Sequence, residues 1–254
     1  MEQRNLIIQY YLGGDQNPLW VDFATKSIRA YAAEMNIEYQ FHREIDFDCP
    51  SPYFSHLWFL YDDHYETKYD NILYLDCDIT AKGVQENIFD IEIGDIGAVP
   101  DRFLKNIPHD FIRTLEKKNQ SYEDGWFNYE IDCHNVLREK FGDFSWKKSP
   151  TTGLDQYINS GVLLWSKKGR IKARKLFTNL AEYGRIETIE WGPTPQHAFI
   201  GLDQLYVNWQ LTINDFDITE LPVQWNQQQW ETAGKGQFIH HTGARGKHNL
   251  NRKY

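Results

Sequence analysis

The stretch Ile72-Leu73-Tyr74-Leu75-Asp76-Cys77-Asp78 decides how this chain is read. Four β-prone residues end abruptly in two carboxylates one residue apart. An unbroken apolar run of this length reads as a strand buried on both faces, the habit of parallel sheets with helices on each side. In such sheets ligands bind beyond the carboxyl ends of the strands, so the two acids leave the core where a ligand would sit. In a regular strand residues i and i+2 point the same way. Both carboxylates can then approach one cation at the strand's frayed end. Hard oxygen ligands there suit Mg²⁺ or Mn²⁺, which keep open positions for substrate phosphates. Taken alone, the tripeptide fits equally well two aspartates that cap the next turn.

Outward from this stretch, strand and helix patterns alternate. Residues 6–11 read as a first strand, ended by Gly13-Gly14-Asp15. Asn17 is expected to cap a helix with Pro18 at its first position, its apolar face being Ala24, Ile28, Tyr31 and Met35. Residues 37–41 form the next strand. Ser51-Pro52 opens a second helix with Tyr53, Leu57 and Leu60 inward, and residues 96–99 form a short strand closed by Pro100-Asp101. After a break, residues 157–165 read as a strand and 168–183 as a helix with Ala173, Leu176, Phe177, Leu180 and Tyr183 inward. Leu202, Leu205, Tyr206 and Trp209 mark a further short helix, and residues 237–241 a last strand before a Gly- and base-rich tail. This rhythm predicts one α/β domain, a Rossmann-like, mostly parallel sheet flanked by helices. Residues 1–100 form a first half that contains the acid pair. Residues 102–150, rich in charge and aromatics, are a variable insertion, and 151–254 form a second half with the basic tail.

Composition narrows the class. The chain has 254 residues, 41% hydrophobic and 25% charged, as expected of a globular protein. Its net charge of -9 argues against a general nucleic-acid binder, whose footprint is basic. An anionic ligand stays possible because a bound metal inverts the local field. No apolar run approaches the roughly 20 residues that cross a bilayer, and the N-terminus lacks the shape of a signal peptide. Cys49, Cys77 and Cys133 lack metal-knuckle spacing, and such a sparse, odd set favours reduced thiols and a cytoplasmic location.

Three further segments carry polar chemistry. His240-His241-Thr242-Gly243-Ala244-Arg245-Gly246-Lys247 follows the apolar Phe238-Ile239. One imidazole there could complete a metal site, Gly243 could let backbone approach a phosphate, and Arg245 or Lys247 could clamp it. The same residues also fit two partly buried histidines and a solvated tail. Asn159-Ser160-Gly161, entering an apolar strand, can hydrogen-bond a sugar or nucleotide, or simply form a turn. Asp203-Gln204 at a helix start can meet a sugar, or Asp203 can merely favour the helix dipole. Among the loop aromatics, Trp126, Trp146, Trp191, Trp225 and Trp230 are large core residues, or else flat faces on which a glycan can stack.

The order of these features resembles the glycogenin-like and lipopolysaccharide galactosyltransferase-like family of retaining glycosyltransferases. The resemblance rests on Tyr74 to Asp78, Ile158 to Leu164, Leu202-Asp203-Gln204 and His240-x-x-Gly243, and it leaves residues 102–150 unmatched. It implies a GT-A (nucleotide-diphosphosugar transferase) fold with a DxD metal site, residues 1–100 being a nucleotide-binding half and 151–254 the donor-sugar and acceptor half. Asp76, Asp78 and His240 would then bind Mn²⁺ or Mg²⁺. Asp203 and Gln204 would lie at the donor's anomeric centre, and Tyr10 and Tyr11 at the nucleoside base. Asp76, Asn159, Ser160, Gly161, Gly243 and Lys247 would contact the donor. The chain departs from the family after Gly243: the usual lysine position holds Gly246, and Lys247 comes one residue later. The implied activity is transfer of a hexose, with UDP-glucose and UDP-galactose leading as donors, to a glycan, lipid-linked or protein acceptor. A nucleotide-sugar phosphohydrolase or a non-catalytic glycan-binding protein are the alternatives.

Overall fold

A computed structural model describes residues 3–14, 16–49, 51–83, 86–101, 137–153, 155–183, 203–228 and 236–242. Among them run strands β1 (Asn5–Tyr10), β2 (Glu38–His42), β3 (Asn71–Leu75), β4 (Ile79–Ala81), β5 (Ile96–Pro100), β6 (Ile158–Ser166), β7 (Ile218–Glu220), β8 (Gln227–Gln228) and β9 (Phe238–His240). Helices α1 (Leu19–Glu34), α2 (Asp63–Lys68), α3 (Lys167–Leu176), α4 (Leu180–Tyr183) and α5 (Asp203–Ile213) accompany them. The main sheet has the order β2-β1-β3-β6-β5-β7. β1 pairs in parallel with β2 and β3, and β5 with β7, whereas β6 is antiparallel to both β3 and β5. The sheet is therefore mixed but mostly parallel, as expected. A small second sheet, β4-β9-β8, was not legible in the sequence.

The apolar run before the acids is buried on both faces. Ile72 and Tyr74 join one core with Leu6, Ile8, Leu163 and Trp165, while Leu73 and Leu75 join the other with Ile7, Val162, Leu164 and α1's Ile28 and Tyr31. The period-two alternation of a strand thus feeds two separate cores. Each fully buried aliphatic side chain contributes about 1.5–3 kcal/mol, so this central strand is firmly held.

Three local expectations are corrected. Helix α1 begins one residue late, with Pro18 as its N-cap and no side-chain cap. Asn17 instead donates to the Asp22 carboxylate at 2.8 Å and accepts a hydrogen bond from Arg43. Residues Pro52–Leu60 form a 3₁₀ helix, not an α-helix. With three residues per turn, Phe54, Leu57 and Leu60 share the buried face, and Tyr53, expected inside, is 65% exposed. The helix expected over 168–183 is two helices. Phe177 leaves helical geometry (ψ 132°), and Asn179 Oδ1 then accepts from Ala181 N at 2.7 Å to start α4. The break leaves Leu176 exposed rather than inward.

Trp146 and Trp225, considered above for glycan stacking, are core residues. Trp146 packs against Phe144 and Tyr157, and Trp225 against Phe238. Trp126, Trp191 and Trp230 lie outside the described residues, as do most of the insertion, Leu202 and Cys133.

Candidate active site

β3 stops at Leu75, and its ladder with β6 extends by one bond, Asp76 N to Gly161 O at 2.9 Å. The chain then turns, with Ile79 N donating to Asp76 O at 3.1 Å. The two acids therefore converge on a turn and not through strand alternation. Immediately afterwards β4 pairs antiparallel with β9, placing Ile79 opposite His240. This small sheet carries a residue from near the C-terminus to the end of β3. His240 Nε2 lies 3.2 Å from Asp78 Oδ1 and 3.5 Å from Asp76 Oδ2. One ligand atom from each of Asp76, Asp78 and His240 falls within 4.8 Å of the other two.

Two hard carboxylate oxygens and one imidazole fit a divalent cation such as Mn²⁺. The packing around them is equally specific. A Cβ on Gly161 would lie 2.5 Å from His240 Cε1 and 3.0 Å from Asp76 Oδ2, so only glycine leaves room for the imidazole beside the acid. His240 is buried, while the Asp76 side chain is 37% exposed and faces the neighbouring cavity. Withdrawal from water and then the nearby charge of Asp78 raise the Asp76 pKa, against the opposing pull of His240. A cation held here would relieve the repulsion between the acids.

A cavity of about 400 Å³ opens beside the acids, within the size range of small-ligand pockets. Tyr10, Tyr11, Trp20 and Tyr53 line it together with Asp76, Cys77 and Asp78. Tyr10 and Tyr11 were anticipated there, but Trp20 and Tyr53 were not. Tyr11 and Trp20 meet edge to face at 5.7 Å, and the Tyr10 hydroxyl donates to Pro52 O at 3.1 Å. Burial, followed by the nearby acids, holds the Tyr10 phenol pKa well above its ordinary value.

A second line of contacts joins the acids to the start of α5. The Tyr74 hydroxyl donates to Asp76 Oδ1 at 2.5 Å. The Tyr74 ring stacks between Tyr10 at 5.9 Å and His56 at 4.7 Å. His56 Nε2 in turn lies 3.1 Å from Asp203 Oδ2. His56 is 1% exposed and sequence reasoning missed it. Its only signal was an ionisable residue on the apolar face of the 52–60 helix, at a position whose facing depends on the 3₁₀ period.

Gln204, next to Asp203, donates from Nε2 to Asp101 Oδ2 at 3.0 Å. Its Oε1 accepts from Asn159 Nδ2 at 3.2 Å and from Ser160 N at 3.1 Å. Because β6 runs antiparallel to β3, Asn159-Ser160-Gly161 lies at the same edge as the acids. The structure thus gathers Asp76, Asp78, His240, Asn159, Ser160, Gly161, Asp203 and Gln204 around one end of the sheet, with Tyr10 and Tyr11 in the adjoining cavity. Gly243, Arg245 and Lys247 lie outside the described residues.

Comparison with solved structures shows that this mixed α/β topology is the GT-A glycosyltransferase fold. The chain is similar to galactosyltransferase LgtC, solved with donor and acceptor sugar analogues: TM-score 0.53, 16% identity, 97% of this chain and 94% of that one covered. It is also similar to a glycosyltransferase involved in glycosylating the major capsid of PBCV-1, with TM-score 0.57, 10% identity and 97% and 98% coverage. It likewise matches 46% of the bifunctional glycosyltransferase WbbM, over 96% of its own length, with TM-score 0.53 and 14% identity. No protein-family model and no curated protein sequence matches the chain.

Proposed function

We propose that this protein is a metal-dependent glycosyltransferase that moves a hexose from a nucleotide-diphosphate sugar, UDP-glucose or UDP-galactose first, to an acceptor hydroxyl with retention. The observation that carries the reading is the convergence of Asp76, Asp78 and His240 beside an aromatic-lined cavity at the active end of the sheet. When bound, Mn²⁺ or Mg²⁺ supplies charge neutralisation to a departing diphosphate. Asp76, Asp78 and His240 would hold that ion. The rings of Tyr10, Tyr11, Trp20 and Tyr53 offer apolar faces for a nucleoside base.

The residues near the donor sugar divide their work. The Asp203 carboxylate, held by His56 and 20% exposed, stabilises positive charge growing at the anomeric carbon. Both polar atoms of the Gln204 amide are engaged, with Asp101 on one side and Asn159 and Ser160 on the other. We therefore assign Gln204 to positioning and retention to same-face attack by the acceptor. Asn159, Ser160 and Gly161 shape the donor side, and Gly243 and Lys247 are proposed to meet the diphosphate. The acceptor is a glycan, lipid-linked saccharide or protein.

Among the described residues one group of metal-ligating side chains occurs, whereas a two-metal phosphohydrolase needs a second set. Among the same residues no helix is long and apolar enough to cross a membrane. The sparse, odd set of three cysteines suits a reducing compartment, in line with a cytoplasmic enzyme.

The test is a screen of nucleotide sugars for Mn²⁺-stimulated release of nucleoside diphosphate, run with and without an acceptor panel. Asp78→Asn is expected to lower metal-dependent turnover at least a hundredfold. Release by Asp78→Asn at the wild-type rate, or binding of every nucleotide sugar with no turnover, refutes the transferase reading.

A further inference from the structure

The amides around the cation site form a chain whose direction is fixed at one end and along its length. Asp101, a carboxylate, accepts from Gln204 Nε2, so Gln204 must present Oε1 toward Asn159. That oxygen accepts from Asn159 Nδ2 and from the main-chain N–H of Ser160, which can only donate. Asn159 Oδ1 then accepts from the main-chain N–H of Gly161 at 3.0 Å and from Asn226 Nδ2 at 2.7 Å. Asn226, 3% exposed, is left with its own oxygen toward His240 Nδ1 at 3.0 Å. Reversing any amide would set oxygen against oxygen or N–H against N–H in a site where unmade hydrogen bonds are costly. Gln228 Nε2 also approaches His240 Nδ1, but at 3.5 Å, the limit of a hydrogen bond.

We propose that Asn226 is a positioning residue: through this one-way amide chain anchored on Asp101, it holds a proton on His240 Nδ1, so that Nε2 meets the acids as a ligand. An imidazole must turn an unprotonated nitrogen to a cation, and the partner of its other nitrogen decides which one that is. The same chain passes through Gln204, so the residue proposed near the donor sugar and the histidine proposed to hold the cation share one rigid network. The purpose of the device rests on the cation reading above. Its geometry does not.

The experiment uses the full chain labelled with ¹⁵N-histidine, together with Asn226→Leu and Asn226→Asp. In metal-free wild type, where Asp76 and Asp78 favour a proton on Nε2 as well, His240 is expected to show a slowly exchanging Nδ1-bound proton at neutral pH. Asn226→Asp keeps an acceptor facing Nδ1 while losing the bond to Asn159, so it retains that proton. Asn226→Leu loses it. Titration with Mn²⁺, followed by the electron paramagnetic resonance of the unbound ion, is expected to show affinity weakened about 10- to 100-fold in Asn226→Leu and unchanged or tighter in Asn226→Asp. A purely structural Asn226 would make the two variants alike. Wild-type His240 without a proton on Nδ1, or wild-type Mn²⁺ affinity in a folded Asn226→Leu, overturns the proposal. If wild type shows the Nδ1 proton but takes up no Mn²⁺, the cation reading fails while the amide chain stands.

Discussion

Gly161→Ala tests how tightly the cation site is built. Its backbone is not in the left-handed region, so any cost comes from contact and not from strain. The added methyl would lie 2.5 Å from His240 Cε1, 3.0 Å from His240 Nδ1 and 3.0 Å from Asp76 Oδ2. Carbon atoms ordinarily meet at about 3.5–4.0 Å, so the imidazole must retreat by about 1 Å. The Asn226 contact to Nδ1 at 3.0 Å and the pairing of β9 with β4 oppose that retreat. Metal–ligand distances tolerate only about 0.2 Å of deviation, so the retreat removes a ligand. Mn²⁺ affinity should fall about 100-fold, or about 2.8 kcal/mol at 1.4 kcal/mol per tenfold, and overpacking should cost about 1–3 kcal/mol of stability. Mn²⁺ titration by electron paramagnetic resonance and urea unfolding read the two effects separately. Wild-type affinity within threefold in folded Gly161→Ala would refute the view that this glycine makes room for the ligand.

Two further outcomes follow from other parts of the fold. His56→Phe keeps a ring stacked on Tyr74 but removes the partner of Asp203. Turnover should fall about tenfold with Mn²⁺ affinity unchanged, and equal kcat with the favoured donor would show that His56 does not position Asp203 for the reaction. Asp95, buried before β5, binds Lys168, Lys172 and the Asp217 N–H. Burial acts to raise its pKa, but the Asp217 N–H and the two lysines outweigh it, and the pKa sits below its ordinary value. A lowered folded-state pKa means stability present above the unfolded value, near 4, and lost as pH falls through the folded one. Asp95→Asn should therefore cost about 1–2 kcal/mol at neutral pH, with the gap to wild type closing in denaturation curves below about pH 4. A gap that persists undiminished at pH 2 would show that ionisation of Asp95 is not its source.

The local patterns were legible where one period dominates. Ile72 to Leu75 announced a strand buried on both faces, and the acids after it marked the ligand end of a sheet. The order of motifs along the chain pointed to the GT-A fold now observed. Errors arose where two periods or two breaks compete locally. Residues 52–60 carry apolar side chains that suit either helix, and only packing of Phe54, Leu57 and Leu60 on the core selects the 3₁₀ form. The helix after β6 breaks at Phe177 because Thr178 N finds Gln210 on α5 at 2.7 Å, a partner far along the chain.

Residue identity settles which side chains carry chemistry, because carboxylate, amide and imidazole have their properties wherever they stand. Tertiary structure alone decided that they meet. The antiparallel course of β6 sets Asn159 to Gly161 beside the acids, and the β4–β9 pairing delivers His240 to Asp78. It also decided that Asn226 and His56 belong with them. Both are ordinary in sequence, and their significance comes from hydrogen bonds to residues 14 and 147 positions away. Such distances are closed by sheet pairing and core burial, which no local pattern encodes.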